Sequence, residues 1–317
     1  MKRALLAAGI AAWVLAASGS PLSGQRSRPN VNLRAESAGW DQVLSSLIRA
    51  FDAVDVVALG EAHARRVDSD LRIRLVNHPD FPKKVRVIVV EFANSLFQEV
   101  LDRYIQGDDV PLPELQQVWL TTFTGARGPV SSVYRDFLSA VRDVNRRLPA
   151  SQRVRVLAGE PAIDWTRNPS PADRQRYNEL RTDTPVSHLR GAVKSGAKAL
   201  VVYGSGHIWH GEGRITVTAE RDSAMKVFVV DTLAPVSTSQ SGPAFTALDE
   251  ALRRLEATLD SAQRPVLASL ARAPASRLIA NPFYLGQAML PPDATIGGLA
   301  DAVVYFGRAP EAGALVP

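Results

Sequence analysis

Short, nearly unbroken apolar runs alternate along this chain with longer segments whose apolar residues recur every three or four positions. Val54–Leu59, Val85–Val90, Val154–Ala158, Ala199–Tyr203 and Lys226–Val230 are the runs. Continuous apolar character suits strands buried on both faces of a parallel sheet. Between them, Trp40, Val43, Leu44, Leu47, Ile48 and Phe51 mark one helical stripe, and Val67, Leu71 and Leu75 mark another that stops before His78-Pro79. A helix is expected over Phe92–Ile105, starting directly after Glu91 and closing at Gly107. Pro111–Trp119 reads as a short helix, Thr121–Val130 as a loop, and the segment after Ser131 or Ser132 as a helix reaching Leu148. Asp173–Arg181 reads as a short helix, and Thr184-Pro185 as the cap and first residue of a separate one that ends at Gly196. Ile215–Ala219 alternates like a strand, yet a parallel crossover needs a helix there, so both readings stay open. Phe245–Leu259 looks helical, with further strands at Pro265–Leu270 and Ala302–Phe306. The alternation predicts a three-layer α/β/α fold with a mostly parallel sheet, in a single domain over residues 39–317.

The first residues depart from this alternation. Lys2-Arg3, an apolar stretch from Ala4 to Ala17 and the small residues Ser18-Gly19-Ser20 follow the secretory pattern. Residues 1–24 are therefore expected to be a signal peptide and 25–38 a flexible leader, with the protein exported to a periplasm or secreted. The apolar stretch is short for a membrane span, and no stable transmembrane segment is expected after processing. Cysteine is absent, which rules out disulfides, thiol nucleophiles and thiolate metal ligands. The formal charge of +5 falls by two, to +3, once Lys2 and Arg3 leave with the signal. The remaining arginines are interleaved with acids, as in Arg65-Arg66-Val67-Asp68, which reads as a mixed solvated surface and not as a nucleic-acid footprint.

Candidate chemistry collects where the strands end, the edge at which parallel sheets bind ligands. Gly60-Glu61-Ala62-His63 follows the first run, Glu91 the second, Glu160 and Asp164 the third, Gly204-Ser205-Gly206-His207 and then His210 the fourth, and Asp231 the fifth. Taken singly, Glu91 reads as a helix cap and Asp231 as a turn residue. Together, two carboxylates and two imidazoles on one edge supply a general base, a group to orient it and a partner for proton return. His63, Glu61, Glu91 and His207 are the catalytic candidates, with Glu160, Asp164 and His210 as secondary ones. Gly60, Gly204 and Gly206 would admit a ligand close to the backbone and offer amides to an oxyanion. His63, Glu91 and His207 could also hold a divalent ion such as Zn²⁺ or Mn²⁺. His78 and His188 read as structural. Neither a G-x-S-x-G elbow, a phosphate-binding GxxxxGK[ST] loop, a dinucleotide GxGxxG after the first strand nor an HExxH zinc signature occurs.

Ala58-Leu59-Gly60-Glu61-Ala62-His63, Val87–Glu91 running into Phe92-Ala93-Asn94, and Val201–His207 together resemble the erythromycin esterase-like, ChaN-like and TIKI-like superfamily. The resemblance spans roughly Trp40 to Gly307, with its specificity in those three motifs. It implies an α/β fold with a site at Gly60, Glu61, His63, Glu91 and His207. Erythromycin esterase-like members use a histidine to activate water without a metal; they place two residues between Glu and His, whereas only Ala62 intervenes here. TIKI-like members are metal-dependent proteases, and ChaN-like members are exported haem-binding proteins. The expectation is an exported hydrolase of an ester or amide bond in a small-molecule or peptide substrate, with a haem- or metal-binding protein without turnover as the alternative.

Overall fold

The computed structural model describes residues 37–63, 65–125, 132–233, 250, 266–268 and 295–306. The signal segment, the leader up to residue 36, the tip of the 121–130 loop and most of the helix expected over 245–259 lie outside the described residues.

One sheet organises the molecule, from β1 (Ser37–Ala38), β2 (Val56–Glu61), β3 (Val85–Asn94), β4 (Arg155–Glu160), β5 (Lys198–Gly204), β6 (Val227–Leu233), β7 (Val266–Ala268) and β8 (Ala302–Tyr305). The order is β1-β7-β8-β6-β2-β5-β3-β4. From β8 across to β4 all neighbours are parallel, and β7 and β1 add an antiparallel margin. The last two residues of the expected leader thus form an edge strand.

Successive side chains of each strand feed opposite cores. Val57, Leu59, Ile88, Val90, Leu200 and Val202 pack under α1 (Trp40–Ala50), α2 (Arg66–Asn77), α4 (Gln98–Gln106), α5 (Leu112–Leu120) and α6 (Ser132–Arg146). A four-residue turn, α3 (Phe81–Lys84), leads into β3. Val56, Ala58, Val89, Ala199, Val201 and Val229 pack under α7 (Pro171–Lys194), α8 (Ser205–Ile208) and α9 (Ile215–Ser223). The unbroken apolar runs follow from this: a central strand covered twice has no solvent face to mark with polar residues.

Two expectations need correction, and one open case is decided. β3 continues through Glu91 to Asn94, so Glu91 lies inside a strand and not at a helix start; a single turn at Ser95–Phe97 precedes α4. Asn94 stops the strand by accepting the Leu96 amide and donating to the carbonyls of Thr121 and Ile163. The two helices expected before Gly196 are one 24-residue helix, α7, with Pro185 inside it. Its true start is Ser170, whose hydroxyl accepts the Asp173 amide while Asp173 accepts the Ser170 amide, a capping box followed by proline at the first position. The open case at Ile215 is a helix, as the parallel crossover from β5 to β6 requires. Gly107 closes α4 in the left-handed conformation at φ 112°, as expected.

Candidate active site

Parallel register places the carboxyl ends of β2, β5 and β3 side by side. Glu61 pairs with Gly204, and Val90, the residue before Glu91, pairs with Val202. Glu61 follows the inward alternation of Val57 and Leu59, so its carboxylate enters the helical layer beneath α2. Arg72 of α2 meets it there in a fully buried ion pair. The guanidinium is enclosed by the rings of Phe92, Tyr134 and Phe137 at 5.3–5.9 Å, and burial pulls its pKa down to about 10. A charge this deep persists only if paired.

The other oxygen of Glu61 accepts from Nδ1 of His63 at 3.2 Å. Because an ionised carboxylate can only accept, Nδ1 carries a proton, and Nε2 is the nitrogen turned away from Glu61. The loop carrying His63 is held from below, because Asp68 accepts the Ala62 amide at 2.8 Å and, from Arg65, Nε at 2.9 Å and one Nη at 2.6 Å. Arg65 continues to the Thr232 hydroxyl at the end of β6. Arg65 and Asp68 are therefore an internal brace, not the solvated face their interleaved charges suggested. Only Arg66 of that quartet behaves as surface, pairing with Asp70 and Asp136.

Nε2 of His63 looks across 3.8 Å to one oxygen of Glu91, and the other oxygen lies 3.3 Å from Nε2 of His207. Gly204 forms the floor of this gap: a Cβ there would stand 2.9 Å from His63 Nε2 and 3.1 Å from Glu91. Its amide donates to Glu91 at 2.6 Å, so that N–H is spent on the carboxylate and is not an oxyanion donor. Gly60 also has no room for a Cβ, which would fall 2.5 Å from Asp231, whereas Gly206 faces open space. Asp231 accepts from the Ser205 hydroxyl and, at 2.9 Å, from the Trp209 indole, pinning the turn α8 that carries His207.

The charges separate cleanly. Burial alone would favour a neutral Glu91, but His207, His63, Arg181 and the Gly204 amide overcome it and hold the carboxyl at about 2. Burial, assisted by the charges of Arg181 and Arg214, drives His207 down to about 4, so it is neutral at physiological pH. Arg181, from α7, donates to His207 Nε2 at 2.7 Å and lies 3.9 Å from Glu91. Glu160 goes the opposite way: burial and the neighbouring Glu91 charge push it up to about 7, although Tyr177 donates to it at 2.8 Å. It stands behind Glu91 as a second acid of higher pKa.

The structure brings Glu61, His63, Glu91 and His207 together, with Glu160 behind them. Asp164 turns away to cap a short turn, accepting the Thr166 amide and hydroxyl at 2.9 and 2.6 Å. His210 lies 3.3 Å from Asp301 beside the sheet, and its amide donates to Leu299. His188 donates to the Ala158 carbonyl at 3.1 Å and His78 accepts the Asp80 amide, both local ties. Sequence reasoning missed Arg72 and Arg181. The trace of Arg72 is its spacing of four from Asp68, beside the Val67, Leu71, Leu75 stripe; Arg181 leaves none.

The donor set does not fit a metal ion. Among the described residues, no three His, Asp or Glu side chains converge with ligand geometry. Arg181 occupies the His207 lone pair, and its fixed positive charge sits where a cation would bind. His207 offers haem no free Nε2, since that nitrogen accepts from Arg181.

Fold and site define an α/β protein with a histidine–carboxylate centre at the carboxyl edge of a parallel sheet. No protein-family model matches the sequence, and no curated protein is significantly similar to it. Among solved structures, a Bacillus cereus protein superposes with a TM-score of 0.55 at 12% identity, covering 90% of this chain and 94% of its own. A variant of erythromycin esterase EreC in its open conformation superposes at 0.52 with 10% identity, covering 89% of this chain and 100% of its own. Haem-bound ChaN of Campylobacter jejuni reaches only 0.39 at 14% identity over 64% of this chain and 87% of its own, too low to carry an argument. The chain therefore shares the fold of the first two structures.

Proposed function

We propose that the protein hydrolyses an ester bond of a small molecule through water activated by His63, without a metal. The observation that carries this reading is the chain Arg72–Glu61–His63, in which Glu61 pairs with Nδ1 and leaves Nε2 of a partly exposed imidazole above Gly204. The substrate carbonyl would enter over Gly204. As the water oxygen bonds to the carbonyl carbon, its proton passes to His63 Nε2. Glu61 stabilises the resulting imidazolium through Nδ1–H, and the permanently ionised Glu91 adds to that stabilisation from the opposite side. Arg181 is the charged donor facing the gap, and it takes the role the Gly204 amide cannot: offering N–H to the developing oxyanion. Collapse breaks the bond to the leaving alkoxide, which takes the proton back from His63. The secretory-type start supports action after export.

A panel of 4-nitrophenyl esters and lactones tests the reading. His63→Ala should lower turnover at least a hundredfold with the thermal transition unchanged, and a chelator should leave the wild type fully active. Turnover that survives in His63→Ala, or that EDTA abolishes and Zn²⁺ restores, would refute it.

A further inference from the structure

Arg214 is the one guanidinium at this edge whose charge the described residues leave unanswered. It precedes α9, half-buried, and makes no side-chain hydrogen bond or ion pair among the described residues. Its neighbouring acid is engaged elsewhere: Glu212 turns to Arg221 at 2.8 Å, and Arg221 also holds Asp222 at 2.7 Å. The loop holding Arg214 is docked on the helix that carries Arg181, since the hydroxyl of Thr182, the next residue, donates to the Gly213 carbonyl at 3.2 Å. The tie joins the neighbours of two like charges, both of which His207 feels, and burial together with Arg181 makes the Arg214 cation harder to hold. Glu91 does not relieve it, because His63, His207, Arg181 and the Gly204 amide already surround that carboxylate.

Desolvating a cation beside another cation is unfavourable unless a third charge joins them. We propose that Arg214, next to Arg181, binds an anionic group of the substrate, a carboxylate or phosphate near the scissile carbonyl, so that the enzyme prefers anionic over neutral esters. This rests on the hydrolase reading for the word substrate, but the anion site itself does not depend on turnover. Guanidinium groups suit planar or multidentate oxyanions, and a desolvated charge-assisted hydrogen bond changes binding by about tenfold or more.

The test compares mono-4-nitrophenyl adipate with its methyl ester on the full mature chain, in wild type, Arg214→Gln and Arg214→Glu. The expected ratio of kcat/KM, acid over methyl ester, is about ten or higher in wild type, falls toward one in Arg214→Gln and drops below one in Arg214→Glu. In parallel, calorimetry measures binding of free adipate and of inorganic phosphate, which separates a carboxylate site from a phosphate site. If wild type hydrolyses neither ester but binds one of these anions, and Arg214→Gln loses that binding, the anion site stands and the hydrolase reading falls. A wild-type ratio near one, a ratio that Arg214→Gln leaves unchanged, or no anion binding where neither ester turns over, overturns the proposal.

Discussion

Replacing Arg72 by methionine isolates the buried pair beneath the site. Methionine keeps the apolar stem against Phe92, Tyr134 and Phe137 but strands the Glu61 carboxylate, which is 2% exposed and keeps only His63 as a partner. Removing one member of a buried ion pair costs about 3–5 kcal/mol, because the other charge is left uncompensated. In a domain of this size that is a fall in Tm on the order of 10 °C. Removing both charges, in Glu61→Gln with Arg72→Met, strands nothing and should recover more than half of the loss. The deficit of the single variant should also depend on pH. Without its cation, buried Glu61 has a folded pKa above its unfolded value, so the folded state holds the extra proton. The deficit is then full above the raised folded pKa and shrinks as pH falls toward the unfolded value. Thermal and urea unfolding by circular dichroism, at pH 8 and pH 5, measures all three quantities. A single variant within about 1 kcal/mol of wild type, or a double variant no more stable than the single, would show that Arg72 does not balance Glu61.

Gly204→Ala should abolish ester turnover while leaving the fold, since the added methyl occupies the gap between His63 and Glu91; a kcat within tenfold of wild type would place the chemistry elsewhere. Glu160→Gln should change the pH dependence of stability. Its carboxyl titrates at about 7 in the folded protein against about 4.5 unfolded, so its contribution is fully present below pH 4.5 and is lost as pH rises through 7. The amide still accepts from Tyr177 and never ionises, so the variant should be more stable than wild type above pH 8 by about 3 kcal/mol and equal to it near pH 4. Parallel stability curves for the two proteins would contradict that assignment.

The pattern along the chain reveals what hydrophobic burial dictates and hides what charge pairing dictates. Every strand end that carries the site follows an apolar run, and Glu61, His63, Glu91 and His207 could be found because a sheet edge gathers residues that directly follow those runs. The boundaries failed where local signals compete with tertiary ones. Thr184-Pro185 has the chemistry of a helix start, yet the packing of Val186, Leu189 and Ala192 on the sheet and the Ser170 capping box carry α7 straight through it. Phe92 and Ala93 fit a helix by spacing, but the buried side chain of Asn94 holds β3 extended to the point where it can reach Thr121 and Ile163. The arginines are the harder case. Arg72 and Arg66 lie on one helix and look alike in sequence; one is sealed beneath the site and the other pairs with Asp136 on the surface. What separates them is the carboxylate each meets across the fold, Glu61 eleven residues back and Asp136 seventy ahead. Periodicity within one segment carries no information about such a partner. The histidines of this site are legible because they sit where strands end, and the cations packed around them are not, because they arrive from helices whose orientation only the assembled sheet defines.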